Sequence, residues 1–400
     1  MQVVYHGDLR AVSGRALPPI GMLIAALAIM PRSSLVLLDA RDPRVERTWR
    51  TLEARAQPAY FLSWAWIEGW LEALPADRVP PLAVVRDDGV AIAAFFLGAR
   101  AARRHLVLAS RALYFNATGS PRHDELGIEH NGLLAAPGAC RSLASLVGLL
   151  PGDWDELYLP AIDRYAFDDL GATASAIRVR IEREAPAPLV DLDAVRAIEG
   201  GYGALLGAST RTHLDRARGI VGDLDVEIAG DEAHAIDIYG ELLRLHARAS
   251  ERLGRRGAFA DPWFERFHRR LIRRRLAHGE IQLVRVRAAG ATLGCLYSFV
   301  CRGRVLSYQW GLASFDDASI DAGYLCHAAA IEHNARAGHA VYELLAGPPH
   351  YNQQLATGAQ RIVWVRVQRP RVRWALEQRV RRWKHAIARA RPPRLALSPA

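Results

Sequence analysis

Lysine is nearly missing from this chain: Lys384 is the only one among 52 basic residues. A bias of that size reflects the codon pool as much as guanidinium chemistry, so the formal charge of +10 is a weak pointer to a polyanionic partner. The excess is also confined. Residues 361–394 hold twelve basic side chains against one acid, Glu377, which leaves the rest of the chain close to neutral. Cysteine is scarce too. Cys140, Cys295, Cys301 and Cys326 form no Cys-x-x-Cys pair and no Cys/His metal spacing, so reduced thiols and no bound metal are expected. Long apolar runs are missing. The longest, 20–30, is about half of the ~20 residues that a membrane-crossing helix needs. Arg10 and Arg15 precede it as in a secretory leader, but no small-residue cleavage site follows and Pro31-Arg32 closes it. Met30 is the expected start, which makes residues 1–29 an upstream extension; the domain division sets the N-terminal extension at 1–30. A cytoplasmic location follows, at most peripheral at the inner membrane surface. There is no Gly-x-Ser-x-Gly elbow, His-Glu-x-x-His site or phosphate loop, which removes the hydrolase, zinc-enzyme and P-loop readings.

What is present centres on 279–347. An alternating run from Ile281 to Arg287 turns at Ala289-Gly290, returns through Leu293 to Val300, turns again at Arg302-Gly303 and continues from Val305 to Gly311. Short turns between β-branched and aromatic runs predict a three-stranded antiparallel meander. A helix from Ile320 to Arg336, stopped by Gly338, leads to a last strand, Ala340 to Leu345. Upstream, the pattern predicts helices over 231–253 and 262–277, the second with Asp261 as cap and Pro262 at its first position.

The first half echoes the second. Arg86 to Phe96 lies over Arg287 to Tyr297 at an offset of 201, and Asp155 to Leu159 over Tyr342 to Ala346 at an offset of 187. The same hairpin and the same closing strand recur in the same element order, which points to duplication of one α/β unit. The expected organisation is a first domain over 31–190, a second and catalytic domain over 191–368, and a basic helix and tail over 369–400.

The run Leu245-His246-Ala-Arg248, followed by Arg256-Gly257-Ala-Phe259-Ala-Asp261-Pro262 and by Tyr342-Glu343 with Gly347 and Tyr351, resembles acyltransferases of the GNAT superfamily, CelD (cellulose-biosynthesis) type. These are related to the Fem-type peptidyltransferases. The resemblance runs from about Arg44 to Arg382 and implies an α/β (α+β) fold of tandem GNAT-like units, each a mixed sheet flanked by helices. It implies transfer of an acyl group from acyl-CoA, such as acetyl-CoA, to an amine or hydroxyl, often in polysaccharide or envelope biosynthesis. The donor is then a co-substrate, with no tightly bound cofactor. The family's Tyr-Asp and Tyr-Lys positions are Tyr342-Glu343 and Tyr351-Asn352 here, and the second change removes a cation.

Direct acyl transfer needs a base, oxyanion donors and an acid for the leaving group. Glu343, between apolar neighbours on the closing strand, is the candidate base or substrate-orienting carboxylate; its ordinary alternative is an exposed strand acid. Tyr351, just after that strand, is the candidate acid for the leaving thiolate, against a plain packing role. His246 belongs to the resembling motif, although a lone histidine on a helix face is commonly core. Arg256, after a glycine, suits an anionic substrate, and Phe259 lies in the same motif. On the third meander strand Tyr308 and Trp310 alternate with Ser307 and Gln309; one pair faces the core and the other the acyl cleft. Ser319 and Gly323 stand where the superfamily's pyrophosphate loop falls, but the surrounding Asp316, Asp317 and Asp321 would repel a pyrophosphate.

The last helix places Val372, Leu376, Val380, Trp383 and Ile387 on one stripe, with arginines opposite. It suits docking onto the first domain, a membrane surface or RNA phosphates. Two rival readings follow: an aminoacyl-tRNA-dependent Fem-type transferase, and a non-catalytic module binding RNA or an acidic polymer.

Overall fold

The computed structural model describes residues 33–104, 108–139, 143–169, 177–254, 256–317, 319–346 and 350–371. The expected extension over 1–30, Cys140 and almost all of the basic helix over 369–400 lie outside them.

The first half contributes β1 (Ser34–Leu38), helix α1 (Arg44–Ala56), helix α2 (Trp64–Ala73), β2 (Leu82–Asp87), β3 (Val90–Arg104), β4 (Leu108–Phe115), the short β5 (Leu134–Ala135) and β6 (Glu156–Asp163). A long strand, β7 (Arg178–Asp191), links it to the second half. There follow α3 (Ala208–Val221), β8 (Leu224–Ile228), α4 (Glu232–Arg252), α5 (Pro262–Arg275), β9 (Ile281–Ala288), β10 (Ala291–Cys301), β11 (Arg304–Leu312), α6 (Ala322–Arg336), β12 (Val341–Glu343), α7 (His350–Leu355) and β13 (Gly358–Gln368). The meander, the capped helices and the closing strand fall where the sequence pattern puts them.

All the strands join one sheet in the order β1-β2-β3-β4-β6-β13-β7-β12-β11-β10-β9-β8, with β5 beside β3. The pairing pattern repeats. In each half three antiparallel pairings end in a parallel one, β4 with β6 and β11 with β12. The hairpins aligned at an offset of 201 carry the same turn. Asp88 and Gly89 have φ of 45° and 81°, and Ala289 and Gly290 have 47° and 78°, the two positive values that a tight hairpin matching the strand twist requires.

The halves then exchange their last strands. β13, at the end of the second half, pairs with β6 of the first, while β7 pairs with β12 of the second, and β7 and β13 pair with each other. Residues 178–191 thus form one strand near the middle of the sheet, and the expected boundary at 190 falls inside it. Its prolines are accommodated by the pairing. Pro186 and Pro188 have the same parity, so both missing N–H groups face the edge opposite β13, which β12 covers only from Leu189 onward.

Helices cover both faces. On one face α1 and α2 share a core with α4 and α5, where Trp49, Trp66 and Trp70 meet Phe267 and Leu271. Arg275 and Glu68, and Arg274 and Glu72, pair across the same boundary. On the other face α3 and α6 bury Leu214, Leu325 and Ile331 against β9 to β12. No helix among the described residues is long and apolar enough to cross a membrane.

Helix α4 rides directly on β11 at Gly311, where an added Cβ would stand 2.3 Å from Leu242 O and 2.9 Å from Leu245 Cβ. Gly311→Ala is therefore expected to cost about 1–3 kcal/mol through overpacking. A lowered thermal midpoint would record the cost, and an unchanged one would mean that α4 shifts freely.

Candidate active site

Glu343 sits at the end of β12, beside Leu306 of β11 and Leu189 of β7, and is only 3% exposed. Its carboxylate is held from two sides. Arg304 Nε donates at 2.6 Å, and His130 Nε2, from the first half, lies 2.7 Å away. His130 Nδ1 is 3.9 Å from Asp163 Oδ2, so the ring stands between two acids. Burial alone would raise the Glu343 pKa, but the hydrogen bond and charge of His130, with Arg304, hold it below the usual carboxylate range. Burial would lower His130, and the hydrogen bond and charge of Glu343, with Glu129 and Asp163 nearby, raise it instead. Each partner thus favours the charged form of the other. An ionised acid already carrying two charged donors is a poor base and a good orienting group. The cluster borders a cleft of about 230 Å³.

Glu129 stands one residue from His130 and differs in kind. It is 5% exposed, its Oε1 accepts from Ala346 N at 2.6 Å, and its Oε2 has no partner among the described residues. Burial pushes its carboxyl up to about 7. Ala346 follows Leu345, which has a φ of 56° just past the end of β12.

A cavity of about 890 Å³ opens where β4 and β6 part. The two strands pair only from Ala112–Tyr114 to Glu156–Tyr158. Beyond that, Asn131 fills the gap. Its Nδ2 donates to Phe115 O at 3.2 Å and Pro160 O at 3.0 Å, and its Oδ1 accepts from Asn116 Nδ2 at 2.8 Å. Asn131 thus satisfies carbonyls that separated strands would leave unpaired, and Asn116 holds it in place. The 118–131 loop walls the cavity and is tied to the second half. Arg122 Nε bonds Asp261 Oδ2 at 2.9 Å, the His123 ring packs on Trp263 at 5.0 Å, and Tyr308 donates its hydroxyl to Leu126 O.

The residues expected from sequence fall in several places. His246, Arg256 and Phe259 do come together, around a separate cleft of about 330 Å³. His246 Nδ1 lies 3.1 Å from Trp310 O, its ring packs edge-on against Phe259, and Arg256 reaches Ala260 O at 3.3 Å. Glu343 is not among the groups around that cleft. Tyr308 and Trp310 do not share a face. The β10–β11 register shifts between Tyr297 and Ser298, leaving Tyr308 as an extra residue and reversing the alternation beyond it. Tyr308 is thereby buried in the core beside His268, while Trp310 turns to the opposite side near His327. Ser319 N donates to Asp317 Oδ1 at 2.7 Å, and Gly323 N to Asp321 Oδ1 at 2.8 Å, so carboxylates of the chain already take the amides expected to hold a pyrophosphate. The side chain of Tyr351 lies outside the described residues. Glu129, His130 and His123 were not singled out by sequence reasoning. Their signal is the density of His, Asp, Glu and Asn between Ser120 and Gly132, in a stretch that reads as an ordinary polar loop.

Residues 208–353 match the family model described as "Acetyltransferase (GNAT) domain". That region is an acyltransferase domain of the GNAT superfamily, and acyl transfer is the enzymatic class it brings to the chain. Among curated proteins nothing matches. Among solved structures, FemX is 9% identical with a TM-score of 0.50, over 79% of this chain and 95% of that one. L-PGS from Bacillus licheniformis is 9% identical with a TM-score of 0.47, over 84% and 94%. A tandem GNAT protein from the clavulanic acid biosynthesis pathway is 17% identical with a TM-score of 0.43, over 84% and 98%. At such identities the likeness to FemX is one of fold alone.

Proposed function

We propose that the protein is built from two GNAT-like units and moves an acyl group from acyl-CoA to an amine or hydroxyl acceptor in polysaccharide or envelope biosynthesis. The observation that carries this reading is the match of 208–353 to the acetyltransferase domain. The repeated strand pattern supports two units. The acceptor lies in the large cavity, whose wall belongs to the first half but is anchored on the second through Arg122–Asp261. Glu343 orients His130 across the two halves, and Tyr351 remains the proposed acid for the leaving thiolate.

One observation favours a second reading. Asp321 caps α6 by accepting from Gly323 and Tyr324, which sets a negative charge where a pyrophosphate would need a positive end. Aminoacyl-tRNA-dependent transfer of the Fem type needs no CoA pyrophosphate there. Thermal melting with acetyl-CoA, longer acyl-CoAs, free CoA and bulk tRNA separates the two. A ligand at 100 times its dissociation constant stabilises by about 2.7 kcal/mol, or roughly 5–10 °C. A shift with an acyl-CoA at physiological salt supports the first reading. No CoA response, with a salt-sensitive shift by tRNA, replaces it with the second.

A further inference from the structure

The cavity at the parting of β4 and β6 is chemically two-sided. Its floor is Phe61, Trp66, Ile67 and Trp70, and Tyr114 and Tyr158 stand on the wall. Its mouth carries two guanidinium groups, Arg100 and Arg183. Neither makes an ion pair among the described residues. Arg100 Nη1 donates to Gly119 O at 2.8 Å, and Arg183 lies over the Trp364 ring, 4.3 Å from its centre. Arg122 and Arg366 nearby are, by contrast, neutralised by Asp261 and Glu182. Of the acids on this side, Glu129 feels the charge of Arg183, but burial raises its carboxyl to about 7 and leaves it partly protonated near neutral pH. Asp124 is turned onto Thr118 N and Gly119 N at 2.8 and 2.7 Å, and Glu125 alone stands exposed at the lip. His123 also lines the cavity, and its buried Nδ1 has no hydrogen-bond partner among the described residues. Burial and the charge of Arg122 hold its pKa below the usual imidazole value, so the ring is neutral near pH 7.

We propose that this cavity binds a ligand with a flat apolar body and one anionic group, and that this ligand is the acyl acceptor. The second clause rests on the acyl-transfer reading above; the first does not. The body lies over the aromatic floor, which holds planar rings by stacking and area burial. The anion sits between Arg100 and Arg183, where a carboxylate, sulfonate or phosphate finds paired donors. His123 offers a neutral ring nitrogen to a polar group of the ligand. An aromatic amine or phenol bearing an acid group has this chemistry, and an uncharged acceptor leaves both guanidinium groups unused.

The probe is 8-anilinonaphthalene-1-sulfonate, a flat anion, titrated into the full chain with its own fluorescence and tryptophan quenching as readouts. One saturable site per chain is expected. Combined Arg100→Gln and Arg183→Gln should raise its Kd by about tenfold or more with an unchanged thermal midpoint. Ala101→Trp, which fills the mouth from an exposed position, should remove binding. A Kd within about twofold of the parent in both variants would overturn the proposal. The CoA melting series is read separately. Its failure with probe binding intact retires the acyl-CoA reading and leaves the cavity assignment standing.

Discussion

Glu343→Ala is expected to destabilise the protein by about 3 kcal/mol, the low end of the ~3–5 kcal/mol for breaking a buried charge pair. The low end applies because Arg304, 34% exposed, can turn to water when its partner is removed, while His130, 11% exposed, cannot. The loss has a pH signature. The Glu343 pKa is depressed in the fold, so its contribution is present above the usual carboxylate range and is lost as pH falls through the folded value. The His130 pKa is raised, so its contribution is complete below ~6.5 and is lost as pH rises through the folded value. The difference between parent and variant should therefore peak between those limits and shrink on both sides. Urea midpoints across the pH range measure it. A difference below about 1 kcal/mol throughout, the worth of an exposed pair, would mean that the pair is solvated and holds nothing together.

Glu129→Gln is expected to act in the opposite direction. The carboxyl is raised from 4.5 to about 7 in the fold. Between those values the unfolded chain has released a proton that the folded chain retains, so stability falls as pH rises through the window and is level above it. At about 1.4 kcal/mol per unit the accumulated cost is on the order of 3 kcal/mol by neutral pH. Glutamine never ionises, and its amide oxygen still accepts from Ala346 N. The variant should match the parent at pH 4 and exceed it by roughly that amount at pH 8. Equal gains at both pH values would show that packing, not charge, is responsible.

Much of the second half was legible because its signals are local. The turns at Ala289-Gly290 and Arg302-Gly303, the Asp261-Pro262 cap and the alternation of β9 and β10 each specify structure within a few residues. The repeat was legible for the same reason: Gly89 and Gly290 occupy the same turn. The bulge at Tyr308 was not, because one extra residue leaves the composition of β11 unchanged while it moves Trp310 to the other face. The exchange of β7 and β13 was hidden by Pro186 and Pro188, which look like a linker until the uncovered edge is known. Glu343 could be named from its strand, but not its environment. The partner that decides its charge state is His130, at a sequence distance of 213 residues, in a loop whose residues show no spacing of their own.

The strand exchange also bears on how the chain is made. β6 must wait for β13, and the two are 212 residues apart where Gln368 meets Glu156. While the second half is still being synthesised, β6 stands as an open edge at the ribosome, with Leu157, Leu159 and Ile162 among its side chains. Such edges invite pairing with other nascent chains. A contact that closes over so long a loop also forms late. The two halves therefore cannot be cut at a linker and expressed as independent pieces, and the last strand among the described residues is the one that completes the first half.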